Sequence, residues 1–216
     1  MTDRLKVPPT KSALLELRRQ VGFLEQGHEL LERKKELLTR LVYEHLDRYR
    51  KIRGEARAQV QTAYRWLSIT HMRMGGSRLR QVCMGVPPAI AINILPRSNL
   101  GVEYPSVSAR RLAMQPVGLI GTDASLDNTR EHMAELAVIL ARLGEAETAL
   151  WRLLEEQRKT QKRVNALRYN IIPMYRKTIR YIESNLEEEE RNSLFQLKVL
   201  RQGALYSRDP RSTGVE

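Results

Sequence analysis

The sequence is short of almost everything that a compact enzyme uses. Its 216 residues include one cysteine, two phenylalanines, two tryptophans and eight tyrosines. A lone Cys83 makes neither an internal disulfide nor a cysteine-based zinc cluster, and a reducing compartment fits that best. With no adjacent His or Lys to depress its pKa, Cys83 reads as a small buried thiol. No run approaches the ~20 apolar residues that a membrane span needs. The most apolar stretch, Val86 to Leu95, holds two prolines. The opening MTDRLKVPPTK lacks the apolar core of a signal peptide, which makes the cytoplasm the default expectation.

Catalytic patterns are missing as well. There is no GxxxxGK[ST] phosphate loop and no GxGxxG, and Met74-Gly75-Gly76-Ser77 reads as a helix terminus rather than a phosphate nest. His28, His45, His71 and His132 are dispersed, with no HxxxH pair and no carboxylates at ligand spacing. The expectation is a non-catalytic chain with no cofactor, no metal and no nucleotide of its own.

What the sequence does have is charge and helical texture. Lys and Arg number 37 against 25 Asp and Glu, a net charge of +12, and charged residues make up 29% of the chain. Few bulky groups are left to fill a deep core, which favours an elongated, surface-rich form. Pro and Gly divide the chain into an N-terminal arm (1–10), a long helix (11–76), a compact insert (77–124), a second long helix (125–202) and a flexible tail (203–216). Thr10 follows Pro8 and Pro9 as a helix cap, and Gly75-Gly76 makes a stop. A continuous first helix would be roughly 95 Å long at ~1.5 Å per residue.

Apolar residues recur at alternating four- and three-residue steps in both helices. In the first, the seam runs through Leu17, Val21, Leu24, Leu31, Leu38, Val42 and Ile52, with His28 and His45 interleaved as core or register-setting residues. In the second it runs through Leu140, Leu143, Leu150, Leu154, Val164, Ile171 and Ile182. Matching seams on helices of similar length predict a mainly α fold, a long antiparallel two-helix coiled coil with a small mixed insert at the connecting end. Within the insert, Ala89 to Leu95 reads as a strand, Pro96 to Gly101 as a turn region and Val102-Glu103-Tyr104 as a returning strand, a short β-hairpin. Pro173 interrupts the second helix and predicts a bend or a slight overwinding there.

The charge is unevenly spread. Gln157 to Ile182 contains Arg158, Lys159, Lys162, Arg163, Arg168, Arg176, Lys177 and Arg180 and no acid, and then Glu187 to Glu190 reverse the sign. Such a band suits nucleic-acid phosphates, anionic lipid or an acidic protein surface. Only Tyr169, Tyr175 and Tyr181 lie near it as stacking platforms for bases. A coiled-coil scaffold or nucleic-acid-associated rod is the alternative reading of these residues.

The opening VPPTKSALLELRRQVGFLEQGHELLERKKELL, with Leu30-Leu31-Glu32-Arg33-Lys34-Lys35 at its core, resembles the N-terminal motif of the D subunit of V-type and A-type rotary ATPases. RVNALRYNIIPMYRKTIRYIESNLEEEERNSLFQLKVLR, Arg163 to Arg201, is similar to that family's C-terminal helix, and Leu100 to Pro105 resembles its Gly-Val-x-x-Pro element. The resemblance implies a central-stalk rotor shaft whose coiled-coil tip enters a hexamer of A and B subunits. The F subunit would lie alongside, and the lower end would seat in the C subunit (also called d), on the cytoplasmic side of a membrane and peripheral to it. ATP chemistry belongs to the hexamer in that family, and the shaft transmits torque to the membrane ring. On that reading the eight basic residues of the band are bearing contacts with the hexamer, and Pro173 supplies eccentricity.

Overall fold

The computed structural model describes residues 4–118 and 121–206, the last five by backbone alone. Its elements are α1 (Lys11–Met74), α2 (Gly76–Cys83), β1 (Ile90–Asn99), β2 (Val102–Arg111), α3 (Ala124–Ala166), a π-helical turn (Leu167–Ile171) and α4 (Ile172–Tyr206). The fold is helical coiled coil with a β-hairpin insert. The chain forms two compact units, one of Met1–Arg33 with Gln161–Glu216, the other Lys34–Thr160.

In the first unit the start of α1 packs on α4. Thr10 caps α1 through a hydrogen bond from the Ala13 amide to its Oγ1 (3.2 Å). Leu17 and Val21 are buried on α1, and Val164, Ile172, Thr178 and Ile182 are buried on the returning chain. Leu24, Leu31 and Ile171 are half-buried. The arm before α1 lies along α4: the Leu5 amide donates to Thr178 Oγ1 (3.2 Å), and the Arg4 guanidinium sits 4.5 Å from the Tyr181 ring centroid.

Pro173 acts on the turn before it. The Ile172 amide donates to the Leu167 carbonyl, five residues back, so the turn is widened. This corrects the expected overwinding: a proline ring collides with the carbonyl four residues earlier, and a wider turn moves that carbonyl aside. Backbone angles stay helical on both sides, at Ala166 (φ −62°, ψ −42°) and Ile172 (φ −58°, ψ −45°). One residue is thereby inserted into the helical phase. Similarly, Gly203 does not stop α4, which continues to Tyr206. A single helical glycine costs only about 1 kcal/mol against alanine, and Ala204 and Leu205 favour resumption. The rest of the expected tail, 207–216, lies outside the described residues.

In the second unit α1 packs on α3. Leu38 and Leu153 are fully buried and meet Val102 of the hairpin, with Val42 against the cluster. Small residues fill much of the remaining contact: Ala56 and Ala63 on α1, and Ala134, Ala146 and Ala149 on α3. Leu150 is buried, while Ile52, Leu143 and Leu154 are half-buried. Leu140, expected in the seam, is 47% exposed. The buried line keeps seven-residue steps through Ala146, Leu153 and Thr160, alternating with Leu150 and Val164, so the column of Leu140 and Leu154 lies one residue to the side of it. A hydroxyl cluster closes the far end of this contact. Thr70 Oγ1 lies 2.7 Å from Thr129 Oγ1 and donates to the Ser125 carbonyl at 2.9 Å, all buried. Asp123 caps α3, accepting from the Ser125 amide (3.2 Å) and from Arg73 (3.1 Å).

The insert differs from expectation in two ways. A short helix, α2, follows Gly75 and buries Leu79. The strands are also longer than expected and run through both prolines, with Pro96 facing Pro105. The turn is Leu100-Gly101, at φ 51° and 77°. These two left-handed residues make the tight hairpin turn whose twist matches the strands. Counting back from Asn99 facing Val102, the proline pair falls on a facing position whose amides point away from the partner strand, so neither missing N–H breaks the ladder.

Leu100 pays for its left-handed backbone, since a branched residue there is strained by roughly 1 kcal/mol. Leu100→Asn should slow amide exchange across Ile90–Arg111 severalfold, read by hydrogen exchange. The Asp123 cap gives a pH signature. Hydrogen bonds from Ser125 and then Arg73 hold its carboxyl at about 2, below its ordinary 3.8. The unfolded chain therefore takes up this proton first as pH falls, so the cap's contribution is complete above about pH 4 and is lost toward pH 2. Asp123→Asn should flatten the acid limb of a thermal-stability profile over that window.

Candidate interaction surfaces

Three ion pairs tie α1 to α4 in the first unit. Lys11 meets Glu190 (2.6 Å), Arg18 meets Glu183 (2.6 Å) and Glu25 meets Arg176 (2.5 Å). Each step of seven residues along α1 is matched by seven residues back along α4. This is an antiparallel heptad ladder, and its sign reverses at the third rung. The Lys11 hydrogen bond and charge lower the Glu190 carboxyl, and Glu190 in turn raises the Lys11 ammonium. These pairs are solvated, so they act less through energy than through register: a slipped helix would place like charges together.

The ladder changes the meaning of the basic band. Arg176 already has a partner on α1, Lys159 pairs with Glu155 of its own helix (2.8 Å), and Arg168 lies over the Tyr169 ring (5.4 Å). All eight residues are exposed. Arg158 and Lys159 belong to the second unit, and Lys162, Arg163, Arg168, Arg176, Lys177 and Arg180 to the first.

A surface absent from the sequence reading lies at the end of α4. From Glu187 to Arg201 every residue is exposed. Leu194, Phe195, Leu197 and Leu200 are each more than 60% exposed. The reason is length: α1 starts at Lys11, opposite Glu190, so no described helix pairs with α4 beyond that rung. The signal was available in the sequence as the apolar run SLFQLKVL after the acidic residues.

The insert carries other exposed apolar groups. Ile92, Ile94 and Leu95 of β1 face solvent, as do Met84, 89% exposed, and Met72 just before the insert, near the end of α1. Cys83 is exposed rather than buried, at the end of a short helix that turns Leu79 inward instead. Among the described residues no three His, Cys, Asp or Glu converge in a way that could hold a metal ion. No described helix is long and apolar enough to cross a membrane.

Helices paired antiparallel, a docked hairpin and an uncovered apolar helix end define a helical coiled-coil protein with a β-hairpin insert. The family profile of the ATP synthase D subunit matches residues 13–202. The D subunit of the A-type ATP synthase of Pyrococcus furiosus is 35% identical over 205 residues, spanning 93% of this chain and 96% of that protein. The D subunit of the V-type ATP synthase of Thermotoga neapolitana is 34% identical over 199 residues, 92% and 98% respectively. Its A-type counterpart from Methanosphaera stadtmanae is 35% identical across 90% of this chain and 93% of that protein. The chain belongs to the D-subunit family of A-type and V-type ATP synthases.

The ladder is open to a charge-swap test. Arg18→Glu should destabilise the full chain by about 0.5–1 kcal/mol in urea unfolding, and the double variant with Glu183→Arg should recover most of that. An additive double mutant would mean that the pair does not couple the helices.

Proposed function

We propose that this D subunit is the central rotor shaft of its ATPase, turning inside a hexamer of A and B subunits and passing torque to the membrane ion-translocating ring. The observation that carries the reading is the uncovered end of α4, an apolar helix segment rigidly based on the stapled α1–α4 stem. Exposed apolar patches of this kind mark interaction sites, and a hexamer bore supplies the surrounding wall such a segment needs. A shaft performs no covalent chemistry, which accords with a non-catalytic role that binds no nucleotide, metal or cofactor. The F subunit alongside, the socket of the C (d) subunit at the lower end, and a peripheral position on the cytoplasmic side complete the assignment.

Within this reading the basic band is the bearing. Exposed Lys and Arg contacts are individually weak, about 0–1 kcal/mol each, which suits contacts that must break at every step. Glu25 of α1 engages Arg176, so that residue serves the stem. The widened turn before Pro173 supplies the local asymmetry that a turning shaft requires.

The test is single-molecule rotation of an A/B/D/F complex with a probe on this chain. Truncation after Glu190 should leave the helices folded by circular dichroism and weaken hexamer association by tenfold or more. Replacing Arg158, Lys162, Arg163, Arg168 and Arg180 by Gln should reduce torque with assembly retained. A complex in which this chain stays fixed relative to the hexamer during ATP turnover would overturn the rotor reading. Unchanged torque in the Gln variant would remove the bearing role alone.

A further inference from the structure

The hairpin is attached to the second unit along one strand. Val102 and Tyr104 of β2 are buried against the helices, whereas β1 from Ile92 to Asn99 is exposed throughout. A two-stranded hairpin is marginally stable by itself. Its order therefore depends on the docking contacts, and those contacts converge on one carboxylate and one imidazole.

The carboxylate is Glu145 of α3, 9% exposed. One of its oxygens accepts the Val107 amide of β2 (3.1 Å), and the other lies 3.5 Å from the Arg48 guanidinium of α1. The imidazole is His45, one turn before Arg48. Its ring meets Tyr104 of β2 edge to face, with centroids 5.7 Å apart and planes at 75°. His45 Nδ1 is buried with no hydrogen-bond partner. Two further contacts hold the strand: Arg152 donates to the Glu103 carbonyl (2.7 Å), and Arg111 pairs with Glu135 (3.0 Å).

We propose that His45 and Glu145 form a proton-sensitive latch, which holds the hairpin on the helices while His45 is neutral and releases it when His45 is protonated. The groups facing the imidazole are Glu44 and Arg48 from α1, Glu145 from α3 and the Tyr104 ring from β2. A proton on Nδ1 places a second cation beside Arg48 in a site closed over by Tyr104. It also makes Nδ1 a donor, which competes with the Val107 amide for the Glu145 carboxylate. Release exposes Val102, Tyr104 and the Leu38–Leu153 surface beneath them. None of this rests on the rotor reading, because the latch lies within one unit of the chain.

Burial, and then the Arg48 charge, lower the His45 pKa from its ordinary 6.5, against the smaller opposite pull of Glu44 and Glu145. The undocked hairpin thus takes up the proton first. Docking is at full strength above about pH 6.5 and weakens as pH falls from there through the depressed value.

The test is amide hydrogen exchange of the full chain between pH 7.5 and 5.5, corrected for intrinsic exchange. Protection of the Val107 amide and its β2 neighbours should fall by up to about tenfold per pH unit, while α1 amides near Ala63 stay unchanged. His45→Gln should flatten that pH dependence. Glu145→Gln should lower β2 protection at every pH and keep the pH slope. Direct NMR titration of His45 in the unaltered chain gives a readout that needs no variant, and its midpoint should lie below 6.5, at the low-pH end of the window in which protection is lost. Protection of β2 that does not change with pH, or an undiminished slope in His45→Gln, would overturn the latch.

Discussion

The constraint on which the rest depends is that a 64-residue helix with an apolar stripe needs cover for that stripe along its length. No local interaction supplies it. Helix α1 obtains its cover from the same chain returning antiparallel, as α4 in one unit and α3 in the other. Exposed charges specify register where the helices begin, through Lys11–Glu190, Arg18–Glu183 and Glu25–Arg176. Buried hydroxyls do the same at the other end of α1, through Thr70 and Thr129. Between them small residues and leucines fill the contact, so little bulk is needed. That explains how a chain with four Phe and Trp residues in all builds a stable fold.

Irregularities in these helices have local physical causes. The widened turn at Leu167–Ile171 answers to the proline at 173, and it inserts one residue into the phase of the buried line, from Val164 to Ile172. The hairpin tolerates Pro96 and Pro105 because they face each other where no ladder bond is required. Its attachment is another matter. The strand rests on Leu38 and Leu153 through Val102 and is fastened around them by one buried carboxylate, one edge-on imidazole and two arginine contacts. In the rotor proposed for this D subunit, a stiff stem and a releasable element would serve different ends.

Much of the fold was legible in the sequence. Every predicted seam position of α1 from Leu17 to Ile52 is buried or half-buried, since a long uninterrupted amphipathic pattern leaves few alternatives. The α3 seam was legible only in part: Leu140 turned outward and Leu153 inward, because the adjacent leucines 153 and 154 let two neighbouring frames fit the pattern, and only the packing against α1 chose the one through Ala146, Leu153 and Thr160. Strand ends were misjudged for a related reason. Prolines read as breakers unless the facing residue is known, and Pro96 finds its partner only across the hairpin, at Pro105. The band of eight basic residues was visible as composition, but Arg176 could not be told from the others until Glu25 was seen across from it.

Spacing and composition by themselves determined the helical class, the antiparallel return, the position of the insert and the family, because these follow from periodicity and from motifs that are contiguous in the chain. Tertiary structure alone decided which charges are already paired, which end of α4 is left uncovered, and that Glu145 and His45 converge on the hairpin. Those outcomes depend on residues as distant in sequence as Lys11 and Glu190 meeting in space, at distances of a few ångströms that no local pattern encodes.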